Sequence, residues 1–172
     1  MGMTLHWVPA ADRPDLLAEP VARAVGELDG VRVAEIDPEL ADTAAFCERY
    51  GVTLEESANC VVVAAKRGGE IRYAACMVLA TMRVDVNGVV RKHLDARKAS
   101  FAPMAEAVEL TGMEYGGITP LGLPDGWPVL VDVNVAEHPQ VVIGAGVRRA
   151  KLAVAGATLA GLKQAEVLPL AG

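Results

Sequence analysis

Two apolar, β-branched runs, Asn59–Ala65 and Ile71–Met82, flank the short polar segment Lys66-Arg67-Gly68-Gly69-Glu70, and this arrangement limits the folds open to the chain. The polar segment reads as a hairpin turn between two strands. Neither run alternates strictly between apolar and polar residues. Each is apolar at both side-chain parities, so both strands are expected to be inner strands covered on two faces. A hairpin of that kind needs other layers to cover it.

The flanking sequence supplies those layers. A strand is expected at Thr4–Val8 and a helix at Glu19–Leu28, where Pro20 suits the first turn and Val21, Ala24, Val25 and Leu28 share a face. Val31–Ile36 reads as a strand, and Asp42–Tyr50 as a helix closed by Gly51. Thr53-Leu-Glu-Glu56 has the spacing of a capping box. Beyond the hairpin, Asp85 or Asn87 caps a helix running to about Leu94. Lys98–Ala102 reads as a strand and Pro103–Leu110 as a helix ended by Gly112. Thr111–Trp127 is rich in Gly and Pro yet keeps Met113, Tyr115, Ile118, Leu121 and Leu123, which suits a structured loop at a pocket better than a linker. Strands at Trp127–Val133, Val141–Ala145, Leu152–Val154 and Val167–Leu168, with a helix near Ala157–Leu162, complete the chain. The fold class is α+β, and the 172 residues are expected to form one domain.

Composition excludes several function classes. Sixteen basic against twenty-two acidic side chains give a net charge of −6, which does not suit coating a nucleic-acid backbone but leaves room to hold one end of it. DNA is not an expected partner. The longest stretches free of charged side chains, Met1–Ala11 and Leu152–Leu162, have 11 residues each, against about 20 for a membrane span. Met1–Ala11 does not read as a signal peptide. Three cysteines, Cys47, Cys60 and Cys76, form no CxxC pair and point to a reducing cytoplasm. His6, His93 and His138 are scattered and form no zinc motif. With Ser57 and Ser100 the only serines and no GxSxG, a serine triad has no local support. No metal or cofactor is expected.

Two glycine-containing segments stand out: Thr111-Gly-Met-Glu-Tyr-Gly-Gly-Ile-Thr-Pro-Leu-Gly-Leu-Pro124 and Ile143-Gly-Ala-Gly-Val-Arg-Arg-Ala-Lys-Leu152. Adjacent Gly116 and Gly117 permit close backbone approach, so such a loop can aim N–H groups at a carbonyl or phosphate. Taken alone, the first segment reads more readily as a tight turn, and the second as a turn followed by a solvated basic face.

Taken together in this order, with Val131-Asp132 between them and the hairpin Ala58–Asp85 before them, they resemble the YbaK/EbsC family, the editing domains associated with prolyl-tRNA synthetase. The resemblance runs from about Leu54 to the C-terminus, whereas the first fifty residues match loosely. It implies a mixed, barrel-like β-sheet packed with helices. It also implies a freestanding deacylase that hydrolyses the ester of a mischarged tRNA, carrying alanine or cysteine and typically on proline tRNA, without a metal or protein nucleophile. The family's GxxxP loop maps to Gly116-Gly-Ile-Thr-Pro120. Gly116, Gly117 and Pro120 are thereby expected to shape the carbonyl-binding loop. Ile118, Thr119, Asp132, Gly144, Gly146 and Arg148 are expected to bind or support the substrate. The implied partner is the 3′ CCA end of an aminoacyl-tRNA, and a homodimer is compatible with it. Positive charge is available from Arg91, Lys92, Arg97 and Lys98, or from Arg148, Arg149 and Lys151.

One departure bears on function. The family's editing members begin the first core strand with a functional lysine, and here Asn59 stands in its place. An amide donates hydrogen bonds but carries no charge. Lys66 is too far along the strand to replace it. Two readings follow: a deacylase of altered specificity in which Asn59 contacts the substrate, or a non-catalytic protein that keeps the pocket for a tRNA end, nucleotide or other small ligand.

Overall fold

The computed structural model describes residues 4–171. The hairpin is its centre. Strands β3 (Ala58–Arg67) and β4 (Glu70–Leu79) pair over their full length through a two-residue turn in which Gly68 and Gly69 have φ of +57° and +84°. Two successive left-handed residues match the twist of the flanking strands, so Lys66, Arg67 and Glu70 join the ladder and the expected five-residue turn contracts to two. β4 stops at Leu79 rather than at Met82, because the chain turns there, with the Met82 N–H donating back to the Leu79 carbonyl at 2.9 Å.

Both strands are internal. With β5 (Lys98–Phe101), β6 (Val129–Asp132) and β9 (Ala165–Leu168) they form a sheet of order β5-β3-β4-β6-β9, in which β6 is parallel to both neighbours. A second, antiparallel sheet runs β1-β2-β8-β7 from β1 (Val8–Pro9), β2 (Arg32–Glu35), β7 (Val141–Gly144) and β8 (Ala150–Val154). A single parallel bridge, Ser57 to Val142, joins the sheets where β3 starts. One apolar cluster draws on both: Val33, Ile143, Leu152 and Val154 from one, Met77, Val129 and Val131 from the other. The arrangement is α+β and barrel-like, without a closed ladder.

Helices α1 (Glu19–Val25), α2 (Thr43–Tyr50), α3 (Arg91–His93), α4 (Met104–Thr111), α5 (Val133–Ala136) and α6 (Gly156–Ala160) cover the sheets. Gly51 and Gly112 end α2 and α4 at φ of +73° and +70°, left-handed caps with no Cβ penalty. Leu54–Glu56 forms a helical turn closed by the expected capping box of Thr53 and Glu56. Asp85, not Asn87, starts the next helix: its carboxylate accepts from Gly88 N–H at 3.0 Å and Val89 N–H at 3.4 Å, opening a wide π-turn, Val86–Val90, that leads into α3. The N-terminal strand is Val8–Pro9 rather than Thr4–Val8: the ladder with β2 holds only Val8 opposite Val33 and Pro9 opposite Arg32, and residues 4–7 lie outside it.

Helix α5 is unexpected from sequence, and Asp132 explains it. The Asp132 side chain is 1% exposed. One oxygen accepts from the Asn134 backbone and side-chain amides, capping α5, and the other accepts from the N–H groups of Leu170 and Ala171 at 2.9 and 3.3 Å. A buried carboxylate with that many donors is a structural tether. Asp132→Ala is expected to lower unfolding free energy by about 2–4 kcal/mol, because several buried amides lose their acceptor. A urea midpoint equal to the wild type would contradict this role.

Candidate active site

A cavity of about 320 Å³ opens at the seam where β3 leaves β7. Ser57, Ala58, Asn59, Cys60 and Val61 form one wall from the start of β3. Asp42, Thr43 and Phe46, at the start of α2, cover it, while Gly116, Ile118, Gly144 and Lys151 close the opposite side. The hairpin therefore presents Asn59 to the glycine-rich loop, and the loop is held there by contacts that only glycine permits.

At Gly144 an added Cβ would lie 2.6 Å from the Gly117 carbonyl oxygen and 2.9 Å from that of Ile118. At Gly117 it would lie 2.9–3.0 Å from the backbone of Val147. The two glycine segments are thus packed backbone to backbone, and hydrogen bonds fix the contact: Gly146 N–H donates to the Gly117 carbonyl at 2.7 Å, and Glu114 N–H to the Gly146 carbonyl at 2.9 Å. Gly146 itself, at φ +84°, rests on Ala18 and Val21 behind the loop rather than in the cavity.

Within the loop the amides divide. Gly117 N–H is taken by the Glu114 carbonyl, and Thr119 N–H points at the Met113 sulfur. Gly116 and Ile118 line the cavity, and among the described residues their N–H groups carry no hydrogen bond. Those two amides are the free donors.

Arg148 braces the loop. Its Nη1 donates to the Tyr115 carbonyl at 3.1 Å, its Nε to the Pro38 carbonyl at 3.2 Å, and Asp42 lies 3.6 Å from it. Its backbone amide donates to the Glu114 carboxylate at 2.7 Å, and its guanidinium carbon lies over the Tyr115 ring, 5.7 Å from the centroid. Arg149 likewise donates to the Asp15 carbonyl. Arg148 ties the loop to the segment before α2.

Asn59 Oδ1 accepts from the Thr43 hydroxyl at 2.7 Å, which fixes the side chain and leaves Nδ2 without a protein partner among the described residues. Cys60 also lines the cavity, but burial, with Cys76 adding, raises its pKa far above neutrality, and burial pushes the Cys76 thiol up to about 12. Neither is a thiolate nucleophile. Ser57 is buried against the Cys47 sulfur at 3.3 Å, and among the described residues no histidine lines the cavity to act as its base. Among the described residues no three His, Cys, Asp or Glu side chains converge as a metal-ligand set.

Of the residues singled out by sequence, Asn59, Gly116, Ile118 and Gly144 meet in the cavity. Gly117, Gly146 and Arg148 hold the loop in place. Thr119 is fully buried, Pro120 faces a separate cleft beside Leu121 and Leu28, and Asp132 lies outside the cavity at its tether. Lys151 is the residue whose placement sequence reasoning missed. It sits within β8, where all five residues are buried, is 7% exposed, and its ammonium lies 5.3 Å from the centre of the Phe46 ring. Burial lowers its pKa from 10.5 to about 8; Cys47 and Asp42 oppose the shift and Arg148 adds to it. The available signal was a lone charge inside an apolar strand, obscured because the strand was read from Leu152.

Comparison with known proteins supports the fold. A computationally designed epitope-grafting scaffold is similar at TM-score 0.77 with 20% identity, covering 90% of this chain and 97% of its own. A candidate trans-editing enzyme for prolyl-tRNA synthetase is similar at 0.74 with 22% identity, covering 96% and 98%. A hypothetical protein is similar at 0.74 with 22% identity, covering 83% and 92%. No curated protein matches in sequence. The family profile described as the aminoacyl-tRNA editing domain matches residues 37–162, taking in α2, the hairpin and both glycine segments. This chain belongs to the aminoacyl-tRNA editing domain family.

Proposed function

We propose that the protein hydrolyses the ester joining a small amino acid, such as alanine or cysteine, to the 3′ end of a mischarged tRNA, with proline tRNA as the leading candidate. The observation that carries this reading is that Gly116 and Ile118, whose amides have no hydrogen-bond partner among the described residues, line one small cavity together with Asn59. Its volume of about 320 Å³ is at the low end for small-ligand clefts, which favours a small side chain. Membership in the aminoacyl-tRNA editing domain family supports an aminoacyl-tRNA as the substrate class. The acidic chain need hold only the terminal CCA.

The chemistry follows from what the cavity offers. With no activated Ser or Cys, water is the nucleophile, and the terminal ribose hydroxyl of the substrate assists its approach. As water adds to the carbonyl carbon, charge builds on the carbonyl oxygen, which the Gly116 and Ile118 amides would receive. Asn59, oriented by Thr43, donates to substrate through Nδ2.

Release of labelled amino acid from a panel of mischarged tRNAs tests this. The wild type is expected to accelerate hydrolysis on small residues. Asn59→Ala is expected to lose about tenfold, the equivalent of one hydrogen bond. No tRNA cleaved above background would favour the second reading, a binding protein, which the uncharged Asn59 supports. Elemental analysis of active protein is expected to give no stoichiometric metal, and one metal per chain would overturn the metal-free route.

A further inference from the structure

Lysine 151 has no evident structural reason to be charged. It lies in the middle sheet position between β2 and β7, paired with Ala34 and Gly144. Cross-strand partners share a face, and the Gly144 face is the one on which the Gly117 and Ile118 carbonyls rest. The Lys151 stem therefore rises beside the glycine loop into the cavity. The residue is nine-tenths buried, and among the described residues no carboxylate lies within ion-pair distance of it. An unpaired buried ammonium is costly, and a lysine with only a packing role carries its head group out to water. This one ends over the Phe46 ring, inside the cavity.

We propose that Lys151 is the catalytic cation of this site, holding the ester carbonyl oxygen together with the Gly116 and Ile118 amides. The assignment rests on the deacylase reading of the cavity and adds to it a charged residue from the opposite wall to Asn59. In the reaction, the oxygen of water bonds to the carbonyl carbon and the C=O π pair moves onto the oxygen beside the ammonium. When that pair returns, the bond to the ribose oxygen breaks, and the ribose oxygen takes the proton given up by the added water. Lys151 keeps its protons throughout. The groups facing it are Asp42, Phe46 and Cys47 on and before α2, Asn59 and Cys60 on β3, and Arg148 ahead of β8.

Single-turnover deacylation of a mischarged tRNA by the wild type, Lys151→Met and Lys151→Arg is the first test. Lys151→Met is expected to lose about 100-fold in rate at saturating enzyme with little change in tRNA affinity, and Lys151→Arg to recover part of it. At subsaturating enzyme, and after subtraction of spontaneous hydrolysis, the wild-type rate is expected to fall as pH rises through about 8, when the ammonium of the free enzyme loses its proton. The Lys151→Arg profile lacks that fall, because guanidinium stays charged. A folded Lys151→Met at the wild-type rate, or the same fall in Lys151→Arg, overturns the proposal. The second test does not need turnover: the Lys151 ammonium is followed by NMR while an adenosine bearing a 3′-alanylamide is added. Its pKa is expected to rise on binding, since a carbonyl acceptor favours the charged form. That rise in a wild type that cleaves no tRNA supports Lys151 as the cation at the carbonyl and overturns the deacylase reading alone. An unmoved Lys151 signal overturns the proposal.

Discussion

Replacing Gly117 with valine is expected to abolish deacylation and to destabilise the fold as well. Sequence reasoning alone expects such a change to leave stability nearly untouched, provided Gly117 does not need a left-handed conformation. The structure meets that condition, since Gly117 is absent from the positive-φ residues, but supplies a different obstacle. A side chain at 117 points into the backbone of Val147 at 2.9–3.0 Å, and a backbone cannot move aside as a flexible side chain can. Relieving the overlap lifts the loop off Gly144 and breaks the 2.7 Å bond from Gly146. Overpacking of this kind costs about 1–3 kcal/mol. Displacing the Gly116 and Ile118 amides removes the donors proposed to meet the oxyanion, each worth ~100-fold in rate. Urea unfolding and single-turnover rates on one preparation measure both effects. A variant that keeps its activity would show that the loop does not form the carbonyl site.

Lys151→Met is expected to make the protein more stable at neutral pH, the reverse of the usual outcome for a core substitution. Burial holds the folded-state pKa at about 8 against 10.5 for the free side chain. The unfolded chain therefore binds more protons between those values, and stability rises with pH across that window. Below pH 8 the whole penalty is present, of order 3 kcal/mol at 1.36 kcal/mol per pH unit. Methionine fills a similar volume without a charge, so the variant is expected to gain about that much at pH 7 and progressively less towards pH 10.5. Urea midpoints at pH 7 and pH 10 give the comparison. An equal or lower midpoint for the variant at pH 7 would mean that the ammonium is solvated or paired. Stability surrendered at one residue of a cavity is the pattern expected of a functional site.

The hairpin and the helix ends were legible because each is specified locally. Two apolar runs joined by Gly68-Gly69 leave little choice of pairing, and Gly51 and Gly112 mark the ends of α2 and α4 directly. The loop Gly116–Pro120 was legible as a feature, but the roles of its members were not. Which amide is free and which is taken by Glu114 or Met113 depends on the path of the loop, not on its composition. Gly144 and Gly146 look alike in sequence. One admits the loop and the other seats it on α1, a distinction made by what each backbone meets. Arg148 read as a residue that binds or supports the substrate, and its bracing contacts were hidden because its partners, Pro38, Asp42 and Tyr115, come from segments far apart in the chain. Asp42, Thr43 and Phe46 escaped notice because the first fifty residues carry no motif, although they cover the cavity. Lys151 was grouped with its basic neighbours, whereas its strand buries it.

Single-turnover hydrolysis of alanyl- and cysteinyl-tRNA for proline is the decisive test of the proposed ester cleavage in the cavity lined by Asn59, Gly116 and Ile118. The wild type is expected to release the amino acid at least ~100-fold faster than buffer alone, and Gly117→Val to match buffer, in line with the loss of the oxyanion donors. Equal rates for wild type and buffer on both substrates, or full activity in Gly117→Val, would contradict the claim.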